Sequence, residues 1–130
     1  MLYDTIDRGN IEKLVRAFYK KVLEDALLSP FFIRVLGNDL KNDKWYEHLH
    51  TLDNFWLSLL TGEGRYMGDP LMPHMFLGGL DESHFEAWLQ LFRETLDALY
   101  TPTIAIKIYG RAKALSTRFI SDLELDDEDE

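Results

Sequence analysis

Cysteine is missing from this chain altogether, which excludes disulfides, iron–sulfur clusters and thiolate zinc sites and is compatible with a reducing compartment. No apolar run reaches the roughly eighteen residues needed to span a bilayer. The N-terminus MLYDTIDRGN has an acid at Asp4 and lacks the long apolar core of a signal peptide. The expectation is a soluble, cytoplasmic protein without a membrane segment. Sustained period-two patterning is also missing, as are hairpin turns between β-rich segments, so no strand competes for the fold. Gly62, Gly64 and Gly68 have the wrong spacing for a dinucleotide fingerprint and follow no strand. There is no phosphate loop and no HExxH pair, and His48 and His50, two apart on a helix, face different ways. No basic stripe marks a nucleic-acid or anionic-lipid surface, and neither is expected as a partner.

What is present fits one domain. The 130 residues suffice to bury a real core but not two. Aromatic residues make up 13% of the chain, more ring surface than a minimal core requires, which leaves room for a flat apolar ligand. The formal net charge is −9, and six of the seven residues from Glu124 to Glu130 are acids; without them the body carries −3. Residues 1–123 are therefore read as the folded domain and 124–130 as an acidic, disordered tail.

From Ile11, the residues Leu14, Val15, Phe18, Tyr19 and Val22 recur at helical spacing, with Asn10 placed to cap the start and Ser29-Pro30 to end the helix. The same Ser29-Pro30 opens a short turn or helix through Phe31, Phe32 and Val35, which stops at Gly37. A second long helix fits Asp43 to about Leu60, with His48, Leu52, Phe55 and Leu59 on one stripe and Gly62 as the stop. Between Gly62 and Gly79 five glycines and two prolines rule out a continuous helix. Asp81 can cap a third long helix carrying Phe85, Trp88, Leu89, Phe92, Leu96 and Leu99. Thr101-Pro102 opens the last, with Ile104, Ile108, Ala112, Leu115, Phe119 and Leu123 on its core face. The expectation is an all-α protein with four main helices.

Four side chains are costly to bury without a partner: Tyr19, His48 and Trp88 on helix core faces, and His74 in the glycine-rich loop. Each alone reads as a core or loop residue with a satisfied polar tip. Together they suggest polar tips converging on one pocket.

The ordered set of motifs carries more. FYKKV at Phe18–Val22, W-x-x-H at Trp45–His48, FW at Phe55-Trp56, GEGxYxGxPLxxH ending at His74, and HFxxWLxLF at His84–Phe92 together resemble the truncated haemoglobins, specifically their third group. The match runs in order from about residue 5 to residue 120, and the interval of fourteen from His74 to Trp88 fits as well. Gly78-Gly79 departs from the pattern, since many relatives carry a proline there.

The resemblance implies a shortened globin, a two-over-two helical sandwich around haem b (iron protoporphyrin IX). It makes His74 the proximal iron ligand, and Tyr19, His48 and Trp88 the distal ligand-binding residues. Phe32 packs on the porphyrin, Leu52 and Phe55 are apolar distal positions, and Arg65, Tyr66 and Met75 complete the haem pocket. Three distal donors favour tight retention or activation of O2, with NO, CO or peroxide as further ligands. An NO dioxygenase or peroxidase-like activity would need an external reductase, because the chain shows no flavin or nicotinamide module. An oxygen-binding or oxygen-transport protein without catalytic residues is the simpler expectation. The alternative from another class is a haem-free globin-like sensor or interaction module.

Overall fold

A computed structural model describes residues 1–62 and 82–128, with side chains through Arg118 and at Ser121. Five helices follow in order: α1 Arg8–Glu24, α2 Ser29–Leu36, α3 Asp43–Thr61, α4 Glu82–Leu99 and α5 Pro102–Glu128. The fold is all-α, with no strand among the described residues. His74, Arg65, Tyr66, Met75, the Gly78-Gly79 pair and the expected cap Asp81 lie outside the described residues.

The first helix starts earlier than its apolar pattern. Asp7, not Asn10, is the N-cap: Asp7 Oδ1 accepts from the Asn10 backbone N–H at 2.8 Å, and the Asn10 side chain accepts from the Asp7 N–H at 3.1 Å. Asn10 is thus the third residue of a capping box. It is also buried, donates to the Thr5 carbonyl and accepts from the Tyr100 hydroxyl at 2.8 Å. The N-terminal segment is pinned to the α4–α5 corner by Tyr3 N–H on the Leu99 carbonyl and Thr101 N–H on the Tyr3 carbonyl.

The other end of α1 also differs from expectation. The helix stops at Glu24, because Asp25 is extended and its carboxylate accepts the backbone N–H groups of Leu27 and Leu28. Ser29-Pro30 therefore opens α2 instead of closing α1, as proline in a first turn commonly does. Between α2 and α3 the chain turns at Gly37, whose φ of 88° suits glycine. Asn42 caps α3 through the Trp45 N–H at 2.8 Å and donates its own amide to the Leu36 carbonyl at 2.8 Å.

At the core, α1 packs against α2, α3 and α4, while α5 lies along α4. Ile11, Leu14, Val15, Phe18 and Val22 of α1 are buried against Trp45, Leu49, Trp56, Phe92, Leu96 and Ile108. This is two helices, α1 and α3, set on two others, α4 and α5. Helical backbone in α5 continues through Glu128, five residues into the acidic run, as propagation from an established helix is cheap and glutamate is a good helix former.

Candidate functional site

Tyr19 projects from α1 into the space between α2 and α3 and is only 4% exposed. Its ring meets Phe32 of α2 at 5.6 Å and, on α3, Trp45 at 5.5 Å and His48 at 5.7 Å between centroids. Trp45 and His48 are three apart on one helix, so their rings share a face and touch at 5.5 Å. Phe32 stacks on Trp45 at 6.2 Å. Trp45 cannot rotate away, because its indole N–H donates to the Gly37 carbonyl at 2.7 Å. The α2–α3 corner thus sets the rings around Tyr19.

Trp88 enters from α4. Its ring stands edge-on to Phe18 at 5.4 Å, and Phe18 in turn contacts Tyr19 at 4.9 Å. The Trp88 Nε1–H is buried and finds no acceptor in hydrogen-bond geometry among the described residues. Its near neighbour is the Tyr19 oxygen, out of good alignment: burial pushes the Tyr19 hydroxyl well above the ordinary tyrosine range, and hydrogen bonding from Trp88 opposes that. Tyr19 therefore keeps its proton and is a hydrogen-bond donor throughout the physiological range.

A buried N–H left without a well-aligned partner costs up to about 1–3 kcal/mol, so an acceptor supplied from outside the described residues would complete the cluster. A small electronegative ligand meets that need, and a flat apolar cofactor suits the surrounding rings. Leu52 is half-buried against the core and Phe55 is buried, one and two turns beyond His48. The structure brings Tyr19, Phe32 and His48 into direct contact and Trp88 to them through Phe18. Among the described residues no group of His, Cys, Asp or Glu could hold a bare metal ion.

Sequence reading missed one member of the ring cluster, Trp45, and one buried charge elsewhere on α3, Asp53. Trp45 read as a core residue, yet its ring joins Phe32, Tyr19 and His48; its spacing of three from His48 was the available signal. Asp53 is wholly buried in α3, paired with Arg16 at 3.0 Å, and its second oxygen has no hydrogen-bond partner among the described residues. Burial raises its pKa above the ordinary aspartate value, and Arg16 opposes that.

An all-helical frame of two helices on two, enclosing a buried knot of aromatic rings and polar tips, defines a globin. Residues 1–116 match the family described as bacterial-like globin, and the chain belongs to that family. It is similar to the group 3 truncated hemoglobin ctb of Campylobacter jejuni, with 37% identity over 119 residues and 92% of each chain covered. It also superposes on the crystal structure of a group III truncated hemoglobin from Campylobacter jejuni with a TM-score of 0.87, covering 95% of both chains at 37% identity. The fold class and the resemblance to the third group of truncated haemoglobins are both borne out. No helix among the described residues is long and apolar enough to cross a membrane.

Proposed function

We propose that this globin binds haem b through His74 and holds a diatomic ligand, O2 foremost, under Tyr19, His48 and Trp88. The observation that carries the reading is the buried Trp88 N–H without a well-aligned acceptor among the described residues, set beside a Tyr19 hydroxyl that burial keeps protonated. Haem supplies the iron that takes up the gas. Phe32, Leu52 and Phe55, with Arg65, Tyr66 and Met75 from the loop, form the walls that seat the porphyrin and exclude water. The Tyr19 O–H and Trp88 N–H, with the His48 ring beside them, favour a ligand that draws negative charge, such as O2, over carbon monoxide, which gains less from donors. A crowded, donor-rich pocket suits retention or activation better than delivery. Work on NO or peroxide would consume electrons that a separate reductase must provide, in the cytoplasm.

Stopped-flow mixing of the oxygenated protein with NO, compared with its O2 dissociation rate, tests the assignment. Reaction much faster than O2 release supports activation, reaction limited by release supports storage, and O2 that dissociates as readily as from a donor-free pocket sinks retention. The absorption spectrum after haem addition comes first, since a haem-free sensor or interaction module would leave it unchanged.

A further inference from the structure

Trp88 also stands at one end of a column of stacked rings. Its indole lies parallel to Phe92, with 5.3 Å between centroids and 7° between planes, and Phe92 is stacked on Trp56 at 5.2 Å and 22°. Most other ring pairs around them, including Phe18 with Trp88 and with Phe92, meet edge to face. Offset stacking overlaps the π-systems of neighbouring rings. An electron vacancy on Trp88 is therefore coupled through Phe92 to Trp56. Phenylalanine is harder to oxidise than either indole and serves as the bridge, not as a stopping point.

Trp56 is buried in α3 at 4% exposure. Asp53 precedes it by three residues, on the same face of the helix. One oxygen of that carboxylate takes the Arg16 bond and the other takes none among the described residues.

Resting on the haem reading above, we propose that Trp88, Phe92 and Trp56 form an oxidation relay that carries oxidising equivalents of hydrogen peroxide from the pocket to Trp56. The oxidant is peroxide itself. Its O–O bond breaks as it gains two electrons and two protons and becomes two waters. Trp88 and Trp56 each give up one electron and the proton on Nε1, leaving two indolyl radicals, with the haem unchanged over the whole reaction. Trp56 is oxidised only by returning an electron to Trp88 along the column. Trp45 is the internal contrast. It touches Tyr19 and His48, each at 5.5 Å between centroids, but its N–H is held by the Gly37 carbonyl and it stacks on no member of the column. It stays intact.

The test is peroxide treatment of the haem-loaded protein in the presence of O2, which traps indolyl radicals as oxygenated tryptophan, followed by peptide mass spectrometry. The expected result is oxygen added at Trp56 and Trp88 and not at Trp45, with a tryptophan-radical signal in freeze-quenched electron paramagnetic resonance. Phe92→Leu keeps an apolar side chain but removes the bridging ring, and oxygenation of Trp56 should fall to background while Trp88 is still modified. Trp88→Phe should abolish modification of Trp56 although Trp56 itself is untouched. Helical circular dichroism and the haem absorption band establish that each variant is folded and loaded. Trp56 oxygenated equally in wild type, Phe92→Leu and Trp88→Phe, or Trp45 modified in its place, would overturn the relay with the haem reading intact. A wild-type protein that takes up no haem would overturn both, and the absorption spectrum distinguishes that case before peroxide is added.

Discussion

At the scale of single residues the pocket is a question of who donates to the ligand. Tyr19→Phe keeps the ring and its contacts with Phe32, Trp45 and His48 and removes only the hydroxyl. A hydrogen bond to a charge-bearing partner is worth about 1.5–3 kcal/mol, and each 1.4 kcal/mol is about tenfold, so O2 release should speed up roughly ten- to a hundredfold. Carbon monoxide release should change far less. If Trp88 shares the donation, the double variant Tyr19→Phe, Trp88→Phe should lose well beyond either single change; an off-rate unmoved in all three ends the retention reading. Asp53 raises a different residue-scale question, since a buried carboxylate depends on its one cation. Arg16→Met removes that cation from an aspartate with no exposure, and it should cost about 1–3 kcal/mol at neutral pH, below the usual cost for a fully buried pair because Arg16 is itself 41% exposed. The sign with pH follows from the raised pKa. Folded Asp53 holds its proton more tightly than the unfolded chain, so its contribution falls as pH rises above the ordinary aspartate value of 3.8. Losing Arg16 raises that pKa further. The penalty of Arg16→Met should therefore be full at neutral pH and vanish below 3.8, where Asp53 is neutral in both states. Urea denaturation of both proteins across that range checks it, and a pH-independent difference would mean the pair acts by packing alone.

At the scale of elements, the helices were legible and their ends less so. Periodicity located the core faces of α1, α3, α4 and α5 because burial of a stripe dominates helix placement. It could not tell a cap from the third residue of a capping box, so Asn10 stood in for Asp7. Nor could it see that Asp25 would turn its carboxylate on Leu27 and Leu28, since Ala26-Leu27-Leu28 is apolar enough to continue a helix. Asp53 was invisible for a related reason. It lies on the Trp45–Leu49–Trp56 stripe, where a charge is not expected, and its partner Arg16 is 37 residues away. In the site, Tyr19, His48 and Trp88 could be singled out by their polar tips, whereas Trp45, whose N–H is spent on Gly37, looked like plain core. That corner is testable. Gly37 has φ 88° and ψ 176°, a region almost exclusive to glycine, and a Cβ there would meet Asn42 Nδ2 at 2.8 Å. Gly37→Ala should cost at least about 1–3 kcal/mol and, by displacing Asn42 and Trp45, should change the near-ultraviolet dichroism of the pocket rings. Gly110 offers the opposite case, since it lies exposed in α5 with open space around it. Gly110→Ala should stabilise by about 0.5–1 kcal/mol and leave ligand kinetics alone. A melting temperature that rises for Gly37→Ala or falls for Gly110→Ala would contradict these assignments.

At the scale of the whole molecule, pocket and core are one body. Tyr19, Phe32 and Trp45 are buried members of the same hydrophobic cluster as Ile11, Leu14 and Ile108, and Trp88 packs against it. A ligand seated among them binds only the folded chain, so haem binding and folding must be linked. The acidic run from Glu124 lies at the far end of the longest helix and adds six negative charges but little apolar surface. Deleting 124–130 should therefore move stability by no more than about half a kcal/mol and leave the linkage untouched. Adding haem should not be neutral. At a free concentration about a thousandfold above its dissociation constant, a ligand confined to the native state stabilises by about 4 kcal/mol. For a domain of this size each kcal/mol moves the melting midpoint by roughly 3–5 °C, so saturation should raise it by roughly 12–20 °C. The midpoint should go on rising with the logarithm of free haem, since binding by mass action does not saturate in its effect on stability. The same titration on His74→Ala should give a much smaller rise if His74 carries the iron, while the tail deletion should follow wild type. Equal rises in wild type and His74→Ala would show that the porphyrin is held by its apolar walls alone, and the ligand assignment would have to move to another residue.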